Sequence, residues 1–192
     1  YIGETSTPVH LVEEALDNAL DEAIAGYAKI IAVTVDPKTG ICCVMDDGRG
    51  IPIENDVPIK ISTKLFTGAK FQDSKTAYRV CAGKNGIGLI TILALSDSYI
   101  IEIYRDKKHA KFIFENAKLK QKIIEDYTGD VPFSTKIQFK PSKKFFENVI
   151  PDIDRIRKRL LVASVQLPKV TFVLNVDKKK EVIALSKDEF FQ

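Results

Sequence analysis

The sequence predicts an α/β (α+β) fold, a two-layer sandwich in which a mostly antiparallel mixed sheet carries helices on one face. Three observations support this fold class. An amphipathic helix pattern lies near the N-terminus, and a charged helix candidate spans 150–165. Alternating or apolar segments recur without helices between most of them, at 99–104, 110–114, 137–139 and 170–176. Strands that follow one another in this way favour antiparallel pairing, with the helices packed on one side.

Composition limits what the chain can be. Its 192 residues and 45% hydrophobic content suffice for one well-buried domain, 1–192. A net charge of +3 is small for this length, so the domain is not an obvious DNA-binding module. Lysines 178–180 are expected on the surface. No apolar run approaches about 18 residues and no leader is visible, so we expect neither a membrane span nor secretion.

The three cysteines are expected to be reduced core residues of a cytoplasmic protein. Cys42 and Cys43 are adjacent on a predicted strand, so their side chains point to opposite faces. Cys81 stands alone, and no C-x-x-C pair suggests zinc.

The first element is a helix. Thr7 is a candidate N-cap, Pro8 suits the first helical position, and Gly26 suits the C-terminal stop. One face is apolar, with Val12, Ala15, Leu16, Ala19, Leu20 and Ala23. The other face is acidic or amide, with His10, Glu13, Glu14, Asp17, Asn18, Asp21 and Glu22.

That polar face is open to two interpretations. It can be an ordinary solvated surface. However, its carboxylates have no interspersed lysines, which is repulsive unless a cation or ligand offsets it. Glu14 and Asn18 are side by side at i and i+4, with His10 one turn earlier, so a proton acceptor adjoins an amide oxygen suited to a hard cation.

The segment 46–52 follows an apolar strand at 41–45 and reads Asp-Asp-Gly-Arg-Gly-Ile-Pro. A buried Asp46 would accept hydrogen bonds from a ligand edge that carries an amino group, as adenine does. Gly48 and Gly50, lacking Cβ, would let a flat ring lie against the main chain. By itself, the same pattern is also an ordinary turn.

A third motif, at 83–88, places glycines before the apolar run 89–95. Glycines that open a helix leave backbone N–H groups free to bind phosphate. The segment is neither a Walker A loop nor a Rossmann fingerprint. Residues 68–88 are interpreted as a lid that could fold over a nucleotide, and a simple surface loop is the alternative.

In chain order, these motifs resemble the GHKL ATPases, the group of gyrase, Hsp90, histidine kinases and MutL. Within that group the chain is most similar to the ATPase domain of the B subunit of bacterial type IIA topoisomerases, gyrase or topoisomerase IV. The similar segments are 1–3, 14–26, 46–52, 68–71, 134–137 and 141–142. They cover most of the chain in the right order.

The resemblance implies a role for each matching residue. Glu14 would be the general base, His10 would assist it, and Asn18 would ligate Mg²⁺. Asp46 would bind the adenine amino group with support from Thr135. Lys70, Gly86 and Gly88 would contact the phosphates. The other ATP-binding residues would be the apolar walls Val44, Ile51, Pro52 and Ile137, the glycines Gly48 and Gly50, the paired Arg49 and Glu22, and Ile87.

The chain departs from the family pattern in its lid. Asn85 stands where gyrase-type lids have histidine. Because asparagine does not titrate near neutral pH, residue 85 cannot transfer a proton as a histidine could. Lys84 adds a positively charged side chain to the segment 83–88. The interval from Pro52 to Lys70 is several residues short of the pattern, whereas that from Lys70 to Gly86 is slightly long.

As a whole, the resemblance implies an enzyme that uses ATP and Mg²⁺ and couples ATP-driven dimerisation to DNA strand passage, together with a topoisomerase A-type subunit. We expect it in the bacterial cytoplasm, associated with the nucleoid. The family's N-terminal arm and C-terminal transducer are expected to be absent here, so the chain alone should be monomeric and bind ATP better than it hydrolyses it. Another GHKL protein (a histidine kinase, an Hsp90-like or MutL-like ATPase) and a non-hydrolysing nucleotide sensor remain alternatives.

Overall fold

The computed structural model describes residues 7–63 and 88–184. In these ranges it contains four α-helices: α1 (Val9–Ile24), α2 (Val57–Thr63), α3 (Gly88–Ala94) and α4 (Ile153–Gln166). The strands are β1 (Ile30–Val35), β2 (Cys42–Asp46), β3 (Ser96–Arg105), β4 (Lys108–Glu115), β5 (Lys118–Asp126), β6 (Thr135–Pro141), β7 (Thr171–Val176) and β8 (Lys179–Ile183). A short 3-10 turn, Glu54–Asp56, precedes α2.

The eight strands form one sheet in the order β5-β4-β3-β6-β2-β1-β7-β8. Every neighbouring pair is antiparallel except β1 and β7, which are parallel because α4 lies on the connection that leads into β7. The predicted fold class is therefore confirmed. The predicted strands at 99–104, 110–114, 137–139 and 170–176 lie within or overlap β3, β4, β6 and β7.

The core lies between the helices and one face of the sheet. All six residues of the predicted apolar face of α1 are buried, together with Leu11. Alternate strand residues meet them from the sheet, among them Ile31, Val44, Ile101 and Phe139. Burial of this stripe, rather than intrinsic propensity, is what stabilises a 16-residue helix of this composition.

The start of α1 differs from the prediction. Pro8 is the N-cap, and no side chain in the described ranges caps the helix, so Thr7 does not have that role. The carbonyl of Pro8 accepts the N–H of Leu11 at 3.0 Å, and the helix begins one residue later than predicted. Its end agrees, because the chain leaves the helix at Ala25 and Gly26 takes a positive φ of 83°.

Strands β1, β5 and β8 and helix α2 were not predicted. Nearly every residue of the edge strand β5 is exposed, so its sequence shows little of the apolar alternation that marks a half-buried strand. β8 is the other edge of the sheet, and its lysines are exposed as expected. An edge strand is fixed by its one partner strand, so its sequence carries little signal.

Cys42 and Cys43 are both buried and free, as predicted, on opposite faces of β2. Burial raises the pKa of Cys42 to about 12 and that of Cys43 to about 11, so both are protonated thiols at neutral pH. Cys81 lies outside the described residues. Within 7–63 and 88–184, no helix has the length and apolarity needed to cross a bilayer.

Candidate functional site

Four of the predicted nucleotide-site residues meet on the helix-facing side of β2 and β6. Asp46 is opposite Thr135 in the register of the two strands, and Val44 is opposite Ile137. All four are buried. Since residues two apart on a strand share a face, the two rows place a carboxylate and a hydroxyl directly beside two aliphatic walls.

Asp46 is the last residue of β2 and only 6% exposed. Burial raises its pKa to about 7, the N–H of Gly48 opposes this, and the charges of Glu22 and Asp47 add to it. The Gly48 N–H donates to Asp46 Oδ1 at 2.9 Å. Asp46 is thus a buried hydrogen-bonding carboxyl that titrates near neutral pH.

Its neighbour Asp47 has a structural role instead. Asp47 Oδ1 accepts the backbone N–H groups of Lys29 and Ile30 at 2.7 and 2.8 Å, which fixes the start of β1 against the end of β2. Asp47 therefore stabilises the junction of β1 and β2, whereas the side chain of Asp46 lies on the buried side.

Glu22 and Arg49 are paired, as the resemblance implied. Arg49 donates from Nη2 to Glu22 Oε1 at 2.8 Å, from Nε to Oε2 at 3.1 Å, and from its backbone N to Oε2 at 3.0 Å. Burial alone would raise the pKa of Glu22, but the hydrogen bonds from Arg49 outweigh it and hold that pKa below its usual value. The guanidinium also lies over the Tyr27 ring, 3.9 Å from its centroid.

The two glycines of this loop lie close to atoms of the protein itself. A Cβ on Gly48 would meet Asp46 Oδ1 and Glu22 Oε2, each at 2.9 Å. Gly50 has φ +77°, and a Cβ there would lie 3.0 Å from the carbonyl oxygen of Tyr104. The missing side chains are therefore required by the packing of the loop on its own protein, and the contact of a flat ring with these glycines stays a prediction.

A residue that the sequence did not indicate holds the same loop from β3. Arg105 Nη1 donates to the carbonyl of Gly50 at 2.8 Å. Beyond Gly50, Ile51 is buried and Pro52 is half-buried, consistent with the predicted apolar wall. No local pattern marks Arg105, because the contact joins residues that are 55 positions apart.

Glu14 and Asn18 are adjacent on α1. The side-chain Nδ2 of Asn18 donates to the Glu14 carbonyl at 2.9 Å. Since a carbonyl can only accept, this bond assigns the amide nitrogen and leaves Asn18 Oδ1 as the oxygen available to a cation. Burial raises the pKa of Glu14, and the nearby charges of Asp17 and Glu13 raise it further, which makes Glu14 a stronger base.

The carboxylate of Glu14 reaches the first residue of α3. A Cβ on Gly88 would collide with Glu14 Oε2, so only glycine permits this approach. This contact brings the E-x-x-x-N helix and the end of the G-x-G motif together, as predicted. Lys70, Gly86 and Ile87 lie outside the described residues.

His10 packs against an aromatic ring rather than against an acid. Its ring centroid is 5.8 Å from that of Phe146. Burial lowers the pKa of His10, the charge of Glu13 opposes this, and Arg155 lowers it further. Within the described ranges, His10 Nδ1 is buried and makes no hydrogen bond. Burial therefore disfavours the protonated form of this ring, which lies one turn before Glu14.

The acidic face of α1 is largely offset by the protein itself. Glu13 binds Arg155 and Asp17 binds Arg159, both from α4, in addition to the pair of Glu22 with Arg49. The crowding of carboxylates therefore does not by itself require a bound cation. Sequence reasoning identified α4 as a charged helix but missed these contacts, although its arginines at i and i+4 match the spacing of the acids.

Beside this site a cavity of about 610 Å³ opens between the β3–β4 turn and the chain before β6. Its lining includes Arg49, Tyr104, Arg105, Lys107 and Tyr127. Of the predicted nucleotide-site residues within the described ranges, Arg49 alone lines it, so this cavity is not the space beside Asp46 and Val44.

The fold and this site define a nucleotide-binding α+β domain of the GHKL class. Residues 3–139 match the family described as histidine kinase-, DNA gyrase B-, and HSP90-like ATPase. The chain belongs to that family, among the ATPase domains of type IIA topoisomerase B subunits, as the following relatives show.

The chain is 37% identical to the B subunit of DNA gyrase from Thermus thermophilus over 183 residues, which is 87% of this chain and 28% of that protein. It is 39% identical to the B subunit of DNA topoisomerase 4 from Bartonella bacilliformis, over 82% of this chain and 24% of that protein. Among solved structures, it resembles the 43K ATPase domain of Thermus thermophilus gyrase B in complex with an aminocoumarin, with a TM-score of 0.77 and 28% identity. That match covers 96% of this chain and 48% of the other. The chain thus spans about a quarter of the length of these curated relatives.

Proposed function

We propose that this domain binds ATP and hydrolyses it to ADP and phosphate. The observation that carries the proposal is the contact between Glu14 and Gly88, because it places a carboxylate of raised pKa at the start of α3. A terminal phosphate bound near that helix end would have its attacking water beside Glu14. Phosphoryl transfer to water depends chiefly on positioning and charge neutralisation, and a single placed base can orient the water.

Adenine would lie between Val44, Ile51 and Ile137, with its amino group donating to Asp46. An ionised carboxylate accepts but does not donate, so Asp46 favours adenine over a base with a carbonyl at that position. Thr135, opposite Asp46, would support it through a water molecule. Pro52, Gly48, Gly50 and the Glu22–Arg49 pair would complete the pocket, and Lys70, Gly86, Ile87 and Gly88 would contact the phosphates.

The residues present fit a magnesium ion. Asn18 Oδ1 is left as an acceptor by the bond from Nδ2 to the Glu14 carbonyl. Mg²⁺ usually takes one or two protein ligands and completes its shell with phosphate oxygens and waters, so one amide suffices. Asn18 would hold the ion, which would neutralise phosphate charge. His10 would assist Glu14 from one turn earlier on α1.

In the whole protein we propose that ATP binding drives dimerisation of two such domains, and that this gates the passage of one DNA duplex through another. The relatives named as B subunits of gyrase and topoisomerase 4 support this role, with an A-type subunit as partner. The small net charge supports DNA contacts being made elsewhere in the assembly.

The test compares full-length wild-type protein with Glu14→Ala and Asn18→Ala variants. We expect Glu14→Ala to lower kcat for ATP hydrolysis by at least about 100-fold while leaving the Kd for Mg·ATP within about threefold. Asn18→Ala should weaken Mg·ATP binding and hydrolysis together. Lys118→Ala, on an exposed edge strand, is the control. Equal, negligible hydrolysis by wild type and Glu14→Ala, with ATP still bound, would favour a nucleotide sensor.

A further inference from the structure

Two arginines of α4 contact the acidic face of α1 at matching intervals. Arg155 donates from Nε to Glu13 Oε1 at 2.8 Å and from Nη2 to Oε2 at 2.7 Å. Arg159 donates from Nη2 to Asp17 Oδ1 at 2.8 Å. The paired residues are four positions apart on both helices, so the two contacts are about 6 Å apart along each helix axis. Because the residue numbers increase in the same order on both helices, α1 and α4 run side by side in the same direction.

These two acids immediately precede the residues of the proposed reaction. Glu13 is followed by Glu14, and Asp17 is followed by Asn18. Successive helical residues are about 100° apart around the axis. The stripe that binds α4 is therefore one step from the stripe that carries the base and the cation ligand, and a rotation of α1 that freed the first would displace the second.

We propose that Arg155 and Arg159 are positioning residues for nucleotide hydrolysis, because they add to the buried apolar face of α1 a restraint on its rotation about its axis, and so on the position of Glu14 against Gly88. This inference rests on the proposed function. The charges of Glu13 and Asp17 act on Glu14 from its own helix, and the first residue of α3 faces it from across the site.

The ion pairs themselves contribute little to stability. The side chains of Arg155 and Arg159 are 51% and 45% exposed. Ion pairs of such exposure contribute little to the free energy of folding, because solvent screens them. The apolar face of α4, with Ile156 and Leu160 fully buried, keeps the helix in place without them. We therefore expect their loss to change catalysis far more than folding.

The experiment replaces both arginines with glutamine in the full-length protein. A base displaced by about 1 Å can cost roughly a hundredfold in rate. We expect kcat to fall about 10- to 100-fold, with KM for Mg·ATP and the Kd of a non-hydrolysable analogue changing far less. Arg157→Gln is the matched control, because the acids that Arg157 binds, Asp154 and Glu181, lie on α4 and β8. Its kcat should equal that of wild type, with a similar shift in Tm.

A charge exchange tests the contact itself and covers the case in which the glutamine variant does not fold. Glu13→Arg and Arg155→Glu should each lower kcat, and the two together should recover most of it. A double exchange no more active than either single variant would overturn the proposal. So would a wild-type kcat in the folded glutamine variant when Glu14→Ala is inactive. If wild type does not hydrolyse ATP at all, the proposed function fails together with this inference.

Discussion

The backbone N–H and the guanidinium of Arg49 both donate to the carboxylate of Glu22, so one side chain of α1 fixes the main chain of the loop that follows β2. Glu22 is 8% exposed. It also lies against Gly48, whose absent Cβ leaves room for it. The acidic helix and the loop beside the buried Asp46 therefore form one unit.

Removing either partner of this pair should destabilise the domain. Glu22→Ala removes the carboxylate that accepts three hydrogen bonds from Arg49, and we expect a loss of about 3 kcal/mol in the free energy of unfolding. Glu22→Gln, which retains one acceptor oxygen, should lose less. Urea denaturation measures both. If Glu22→Ala costs no more than Arg157→Gln, whose pairs are at the surface, the pair does not hold the loop.

Gly48→Ala should be more harmful than the same change at Gly26. At Gly48 a methyl group would meet three atoms at 2.9 Å, including Glu22 Cβ, which cannot move without α1. We expect a loss of about 3 kcal/mol and weaker ATP binding. At Gly26 nothing lies within 4 Å, so only its φ of +83° opposes alanine, at about 1 kcal/mol. Thermal unfolding of both variants checks this order.

The stability of the nucleotide-free domain should fall as pH rises toward neutrality. Burial raises the pKa of Asp46 to about 7. The folded state therefore binds a proton more tightly than the unfolded chain, and this contribution is complete below about pH 4 and lost as pH rises through about 7. Asp46→Asn should remove the part of the slope that Asp46 contributes and stabilise the domain at pH 8.

The same carboxyl should make ATP binding depend on pH in the opposite sense. The adenine amino group needs the ionised Asp46, so the Kd for ATP should rise as pH falls below about 7. Asp46→Asn should bind ATP poorly at every pH. Calorimetric titrations between pH 5.5 and 8, values set roughly one unit either side of a pKa, test this. A wild-type affinity that does not change with pH would contradict the assignment of Asp46.

Glycine at one hairpin turn should stabilise the sheet. Asn116 and Ala117 connect β4 and β5 with φ of 47° and 60°. Two consecutive positive φ values are typical of a type I′ turn, which favours Asn-Gly. Ala117→Gly should therefore add about 1 kcal/mol. Lys118→Gly, one residue later in β5, should instead destabilise, and a gain in Tm for both variants would contradict this explanation.

Periodicity and motif spacing were enough to predict the local features of this protein. The apolar face of α1, the strand that ends at Asp46 and the two-layer fold agree with what the sequence indicates, and the pairing of Glu22 with Arg49 agrees with what the family resemblance implied. Each depends on a pattern within one element or on a family motif of several residues. Such patterns are local, so they are visible in the chain itself.

Tertiary structure alone decided the contacts between distant elements. Arg155 and Glu13 are 142 residues apart, and Arg105 and Gly50 are 55 apart. The glycines at 48 and 50 look the same in the sequence whether they make room for a ligand or for the protein's own atoms. Edge strands such as β5 form because a neighbouring strand forms hydrogen bonds with their backbone. Every residue type has similar backbone groups, so the amino-acid sequence does not show that such a strand will form.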